Sequence, residues 1–216
     1  MRETFLTDLL NFFMIALAAG SAQNLLLTRL VGGDHIFRMG TPRQERLFLV
    51  SQTILTLCAS ACFWYLDVHV LPGIGILERF GLSSYYARAY LWPVIAAVVI
   101  AFVYYTAYVI VRATRLLKED DLTASRIPFV GFNSFVCAIL FRIAANDFTF
   151  QRAMAFAFGS TIGYHLAVLI IWEGKKKMED AEVPEAFQGL PSLLLYIAGI
   201  AMAIYALTGH GVATMM

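Results

Sequence analysis

Charge is what this sequence has least of. Only 14% of its 216 residues are Asp, Glu, Lys or Arg, while 60% are hydrophobic and the mean hydropathy is +0.71. A water-soluble domain of this size needs more charge than that to cover its surface, so that class is excluded. Cysteine is also scarce. Cys58, Cys62 and Cys137 all fall in apolar stretches, and there is neither a C-x-x-C nor a disulfide spacing. Cys58 and Cys62, four apart, would share one helix face; thiols at that spacing could ligate a metal, but cysteine also packs as a small hydrophobe, which is the reading preferred for both. A net charge of +1 leaves no basic stripe for nucleic acid. A nucleophile–base pair, a phosphate loop and H-E-x-x-H are absent as well, which argues against a self-contained enzyme.

What is present is long apolar sequence. Windows free of Asp, Glu, Lys and Arg run over Leu9–Thr28, Leu47–Leu66, Ala89–Val111, Ile127–Phe141, Ala153–Trp172 and Ala186–Val212. A helix needs roughly 20 apolar residues to cross a hydrocarbon core. Barrel strands would alternate polar and apolar residues, and these windows do not. The expectation is an all-α integral membrane protein, one domain over 1–216. Its six transmembrane helices are placed at about 5–31, 47–71, 89–113, 127–145, 152–173 and 189–209. The first stretch is too long, and wrongly flanked, for a cleaved signal peptide.

Loop charge sets the orientation. Eleven Lys and Arg lie near the connections after the first, third and fifth helices, against five on the opposite side. Cytoplasmic loops hold the excess, so both termini are expected outside the cytoplasm. Lys175 to Lys177 and the Arg112–Lys118 segment read as ordinary inside flanks, with contact to anionic lipid as the rival reading.

Two stretches look alike. Arg29-Leu-Val-Gly-Gly-Asp34 resembles Arg142-Ile-Ala-Ala-Asn-Asp147, and each follows an apolar helix carrying an Asn, Asn24 or Asn133. Gly20 and Gly131 precede those residues, by four positions and by two. Three crossings reverse direction, so a 3+3 repeat would be inverted, an arrangement that comes with interrupted helices near the midplane. Helices one and four are therefore expected to break near Asn24 and Asn133, whose amides would satisfy freed backbone groups. Both are candidates for an ion path. Asp8, Asn11, Arg29, Arg142 and His165 also fall in or near the spans, where ionisable groups are costly. Asp8, Arg29 and Arg142 read as interface anchors and His165 as a packing or proton-relay residue.

At these residues the chain resembles a known family, the A-subunit of Rnf and the E-subunit of Nqr complexes. Glu182-Val183-Pro184-Glu185-Ala186-Phe187-Gln188-Gly189 is similar to its D-V-P-x-x-F-x-G loop. Leu57 to Trp64 with Asp67 is similar to its second helix, Asn24, Arg29 and Gly32 to its first, and Asn133 to its fourth. The resemblance implies a membrane subunit of an ion-translocating electron-transport complex in the bacterial inner membrane, non-catalytic alone. It also implies other complex subunits as partners, including a homologous six-helix subunit inserted the other way up. Together the two would share a [2Fe–2S] cluster through two cysteines from each, ordinary iron–sulfur ligation. Where the family has those cysteines, this chain has Asp34, in Gly32-Gly33-Asp34-His35, and Ser134. Cys137 is one helical turn beyond Ser134 and is a candidate substitute ligand; His35 is another neighbouring donor. The expectation is a member without its own share of the cluster and with no metal site of its own. Asp34 and Ser134 would then line the old site without binding iron. The alternative is a stand-alone transporter or membrane interaction protein without a redox role.

Overall fold

The structure, a computed structural model, describes residues 2–33, 36, 42–73, 89–114, 133–179, 184 and 187–208. Those residues form helices and turns and no strand. In chain order the helices are α1 (Arg2–Gly20), α2 (Leu25–Arg29), α3 (Pro42–Tyr65), α4 (Trp92–Thr114), α5 (Ser134–Ala145), α6 (Phe150–Glu179) and α7 (Leu190–Thr208). A π-helical turn, Leu66–Val70, and a 3-10 turn, Leu71–Gly73, extend α3. Asp34, His35, Gly131 and positions 127–132 lie outside the described residues, as do Glu182, Val183, Glu185 and Ala186 of the loop motif.

Four helical stretches are long and apolar enough to cross a membrane: Leu6–Arg29, Glu45–Val70, Trp92–Ala113 and Phe150–Glu179. Ser134–Ala145 and Leu190–Ala206 are apolar but shorter. The outer surface is apolar too: Leu17, Phe102 and Met202 are each about two-thirds exposed. In water such a surface would drive association, whereas against lipid tails it costs nothing. Helix formation fits the sequence, since within lipid only intrasegment hydrogen bonds satisfy the backbone.

Helix α6 is the centre of the molecule and the most buried of the long apolar helices. It lies backbone to backbone with α1. A Cβ on Gly159 would strike the Ala16 backbone, and one on Gly163 would strike Gly20. Small residues four apart on both helices permit this approach, the usual device where no hydrophobic force pulls membrane helices together. Helix α3 joins the other flank of α6. Thr53 Oγ1 lies 3.3 Å from His165 Nε2, and Trp64 Nε1 donates to the Phe148 carbonyl at 2.7 Å in the α5–α6 turn. Helix α7 rests on α6 through Tyr196, which fills the space left by Gly174 and donates to the Ile170 carbonyl at 3.4 Å.

Candidate functional site

The first apolar stretch is interrupted where a polar residue can replace the lost ladder. Helix α1 ends at Gly20, and Asn24 caps the one-and-a-half turns of α2. Asn24 Oδ1 accepts from the N–H groups of Leu26 and Leu27 at 3.1 and 3.2 Å. Its Nδ2 donates to the carbonyls of Gly20 at 3.1 Å and Gly163 at 2.7 Å. A single buried amide thus caps α2, closes the end of α1 and ties both to α6. The Gly163 bond exists only because that glycine lets the two backbones meet. The turn's other loose ends are closed locally, by Ser21 Oγ donating to the Leu17 carbonyl at 2.7 Å and Thr28 Oγ1 to the Asn24 carbonyl at 2.6 Å.

Beyond α2 the chain turns on residues of positive φ, Leu30 at 53° and Gly32 at 84°. Leu30 closes the helix by donating its N–H back to the Leu26 carbonyl at 2.8 Å. Gly32 then meets α5 and α6. Its N–H donates to Ser134 Oγ at 3.0 Å, and its carbonyl accepts from Tyr164 Oη at 3.0 Å. The Tyr164 ring packs on Phe135 with centroids 4.4 Å apart. A Cβ on Gly32 would collide with the Tyr164 ring and crowd Phe135. Gly32 therefore answers two demands, a left-handed backbone and a space with no room for a side chain.

Asn133 caps α5 in the same manner as Asn24 caps α2. Its Oδ1 accepts from Phe135 N–H at 2.9 Å. Its Nδ2 is buried and has no partner among the described residues. Ser134 is the first residue of α5, with its hydroxyl already accepting from Gly32. Cys137 lies one turn on, half-buried against the core, with its thiol free. Among the described residues, no three of His, Cys, Asp and Glu gather as metal ligands. The donor set at the described part of the site does not fit an iron–sulfur cluster. Serine holds its proton too tightly to serve as an anionic ligand near neutral pH, and this hydroxyl is engaged by a backbone N–H.

The remaining candidates scatter. Asp8 and Asn11 line a cavity of about 480 Å³ with Phe12, Thr149, Gln151 and Arg152, between the start of α1 and the α5–α6 turn. Arg29 is exposed at the end of α2, and Arg142 is half-buried near the end of α5. Cys58 is exposed and Cys62 half-buried, both with free thiols. His165 sits against Thr53, one residue from Tyr164. Tyr164 itself escaped sequence reasoning. Its only signal was its place between Gly163 and His165.

No family model matches the chain. Curated proteins do, over nearly its full length. The A-subunit of the ion-translocating oxidoreductase complex of Syntrophotalea carbinolica is 24% identical over 200 residues, covering 92% of this chain and 97% of that protein. Its namesake from Alcanivorax borkumensis is 25% identical over 191 residues, 88% and 92% of the two chains. The E-subunit of the Na(+)-translocating NADH-quinone reductase of Chlamydia pneumoniae is 26% identical over 212 residues, 93% and 78%. The chain is a homologue of the Rnf A-subunits and Nqr E-subunits. The resemblance read from the loop motif and the helix residues is borne out by these alignments. Gly32, which belongs to the helix-one part of that resemblance, meets Ser134, which stands where the family has its helix-four cysteine, and it does so beside Asn133, which belongs to the helix-four part.

Proposed function

We propose that this chain is a membrane subunit of an ion-translocating oxidoreductase complex of the Rnf/Nqr type. The observation that carries the reading is similarity along about nine-tenths of the chain to subunits of both complexes. The geometry supports the finer parts of it. Two asparagines each cap a helix where an apolar stretch is broken or begins, and the two capped helices are joined through Gly32 and Ser134. That is the arrangement an inverted 3+3 repeat with six spans would give, with its discontinuous helices meeting near the midplane. The subunit then sits in the bacterial inner membrane with both termini outside and pairs with a homologous subunit of opposite orientation. It contributes no ligand to a shared cluster: Ser134 fastens the Gly32 turn, and Asp34 and Cys137 are not ligands. Electron transfer bypasses it, and its part is to form the membrane path and the partner's binding face.

The test is purification of the tagged chain from its native membrane under anaerobic conditions. Co-purification of a second six-span homologue with flavin- and iron-containing subunits is the expected result. A chain that emerges alone, from membranes in which such a complex is intact, would contradict the reading. Reporter fusions test the orientation: alkaline phosphatase should be active at the C-terminus and silent after Lys177.

A further inference from the structure

Six buried side-chain polar atoms among the described residues have no hydrogen-bond partner, and four of them belong to one helix. They are both amide atoms of Gln52, Thr56 Oγ1 and Ser60 Oγ, on α3. All three residues are fully buried. Their spacing of four puts them in one row, each a turn above the last. The ordinary refuge of a membrane-helix Ser or Thr is the carbonyl four residues back, which Ser51 and Thr53 use on this same helix at 2.8 and 3.0 Å. Thr56 and Ser60 decline it.

The row continues in both directions to a carboxylate. Glu45 lies seven residues before Gln52, and Asp67 seven after Ser60. At 3.6 residues per turn, all five positions fall within an arc of about 80° on one face. Glu45 to Asp67 is 22 residues, about 33 Å of helix at 1.5 Å each, which matches a hydrocarbon core about 30 Å thick. Glu45 is buried. Asp67 sits in the π-helical turn and accepts from Trp92 Nε1 of α4 at 3.2 Å. Such turns recur at functional sites.

Polar oxygens without partners in a membrane interior are stable only when a ligand or water completes them. The oxygens here are an amide carbonyl and two hydroxyls, which are hard and neutral, and a carboxylate stands at each end. That set replaces the hydration of a monovalent cation without trapping it, as a path requires. A divalent ion would call for carboxylates along the row. We infer that the α3 face Glu45–Gln52–Thr56–Ser60–Asp67 is a cation path through this subunit, carrying Na⁺ on these oxygens or H⁺ along water held by them. The inference rests on the ion-translocating reading above and names a route for it within this chain.

Cysteine accessibility tests it without requiring redox partners. In full-length protein with Cys58, Cys62 and Cys137 changed to Ala, Thr56→Cys and Ser60→Cys are treated in native membranes with methanethiosulfonate ethylammonium. The reagent needs a thiolate, and a thiolate needs water. Both positions should react at least tenfold faster than Phe102→Cys on the exposed face of α4. Slowing by NaCl, and not by choline chloride, assigns the path to Na⁺; unslowed reaction assigns it to H⁺. Thiols as inert as the α4 control would overturn the path. Failure of the complex to co-purify, with both thiols reactive, would overturn the redox reading and leave the path standing. A second variant guards against misfolding. Gln52→Leu with Thr56→Val and Ser60→Ala keeps shape and removes only unpartnered groups, so its melting temperature should hold or rise. Cation uptake by proteoliposomes of the complex should fall at least tenfold in it. Unchanged uptake would also overturn the path.

Discussion

Asn24 and Asn133 do the same local job in two different surroundings. Each is buried, and each caps a helix with its side-chain oxygen. Asn24 then spends its amide on two carbonyls, Gly20 and Gly163, and so joins three helices. Asn133 has an amide with no acceptor among the described residues. The difference comes from α6. Gly163 brings a backbone carbonyl within reach of Asn24, while Tyr164, next along, places a ring on Phe135 and a hydroxyl on Gly32. Residue type alone therefore does not define what a buried asparagine contributes; the neighbour that is or is not glycine decides it.

The largest effect that would expose this contrast is Asn24→Ala. It removes the α2 cap and leaves the Gly20 and Gly163 carbonyls short of a donor, for roughly 3 kcal/mol in all. Thermal unfolding in detergent should show a drop of several degrees, and a Tm within a degree of the parent would break the account of the helix junction. Gly32→Ala comes next, at roughly 2 kcal/mol, because it sets a methyl group against the Tyr164 ring at a φ that alanine rarely adopts. Tyr164→Ala empties a fully buried site and is itself costly, so the check is a double-mutant cycle. Gly32→Ala should cost clearly less in the Tyr164→Ala chain than in the parent, a coupling that a purely conformational effect would not give. Asn24→Ser sharpens the comparison. Serine caps as well as asparagine but cannot reach both carbonyls, so about 1–1.5 kcal/mol should still be lost. Asn133→Ser is the smallest. It keeps a capping oxygen and deletes an unpartnered donor, so stability should stay within about 0.5 kcal/mol or rise. Equal losses for the two serine variants would erase the distinction between the sites.

The all-helical membrane character was legible because it needs only length and charge. A run without Asp, Glu, Lys or Arg longer than a bilayer admits few other structures. The interruption at Asn24 was legible for a similar reason, since an amide inside an apolar run has to satisfy something. Trp64 and Asp67, matched to the family's second helix, each turn out to hold a neighbour, the Phe148 carbonyl and Trp92. What sequence could not reveal was pairing across distance. Ser134 stood out as a missing thiol, but its bond to Gly32, 102 residues away, depends on how α5 is set against the α2 turn. The row on α3 was hidden for another reason. Gln52, Thr56 and Ser60 are unremarkable types in an apolar run, and only burial without partners sets them apart from Ser51 and Thr53 beside them.

The central claim is that this subunit serves the complex while Ser134 holds the Gly32 turn and binds no iron. The most direct measurement is iron and acid-labile sulfide per complex, purified anaerobically from native membranes, for the wild type and for Ser134→Ala. The account predicts the same metal content in both, with the substituted complex melting slightly earlier because the Gly32 N–H loses its acceptor. Loss of two iron atoms and two sulfides from the Ser134→Ala complex would contradict it.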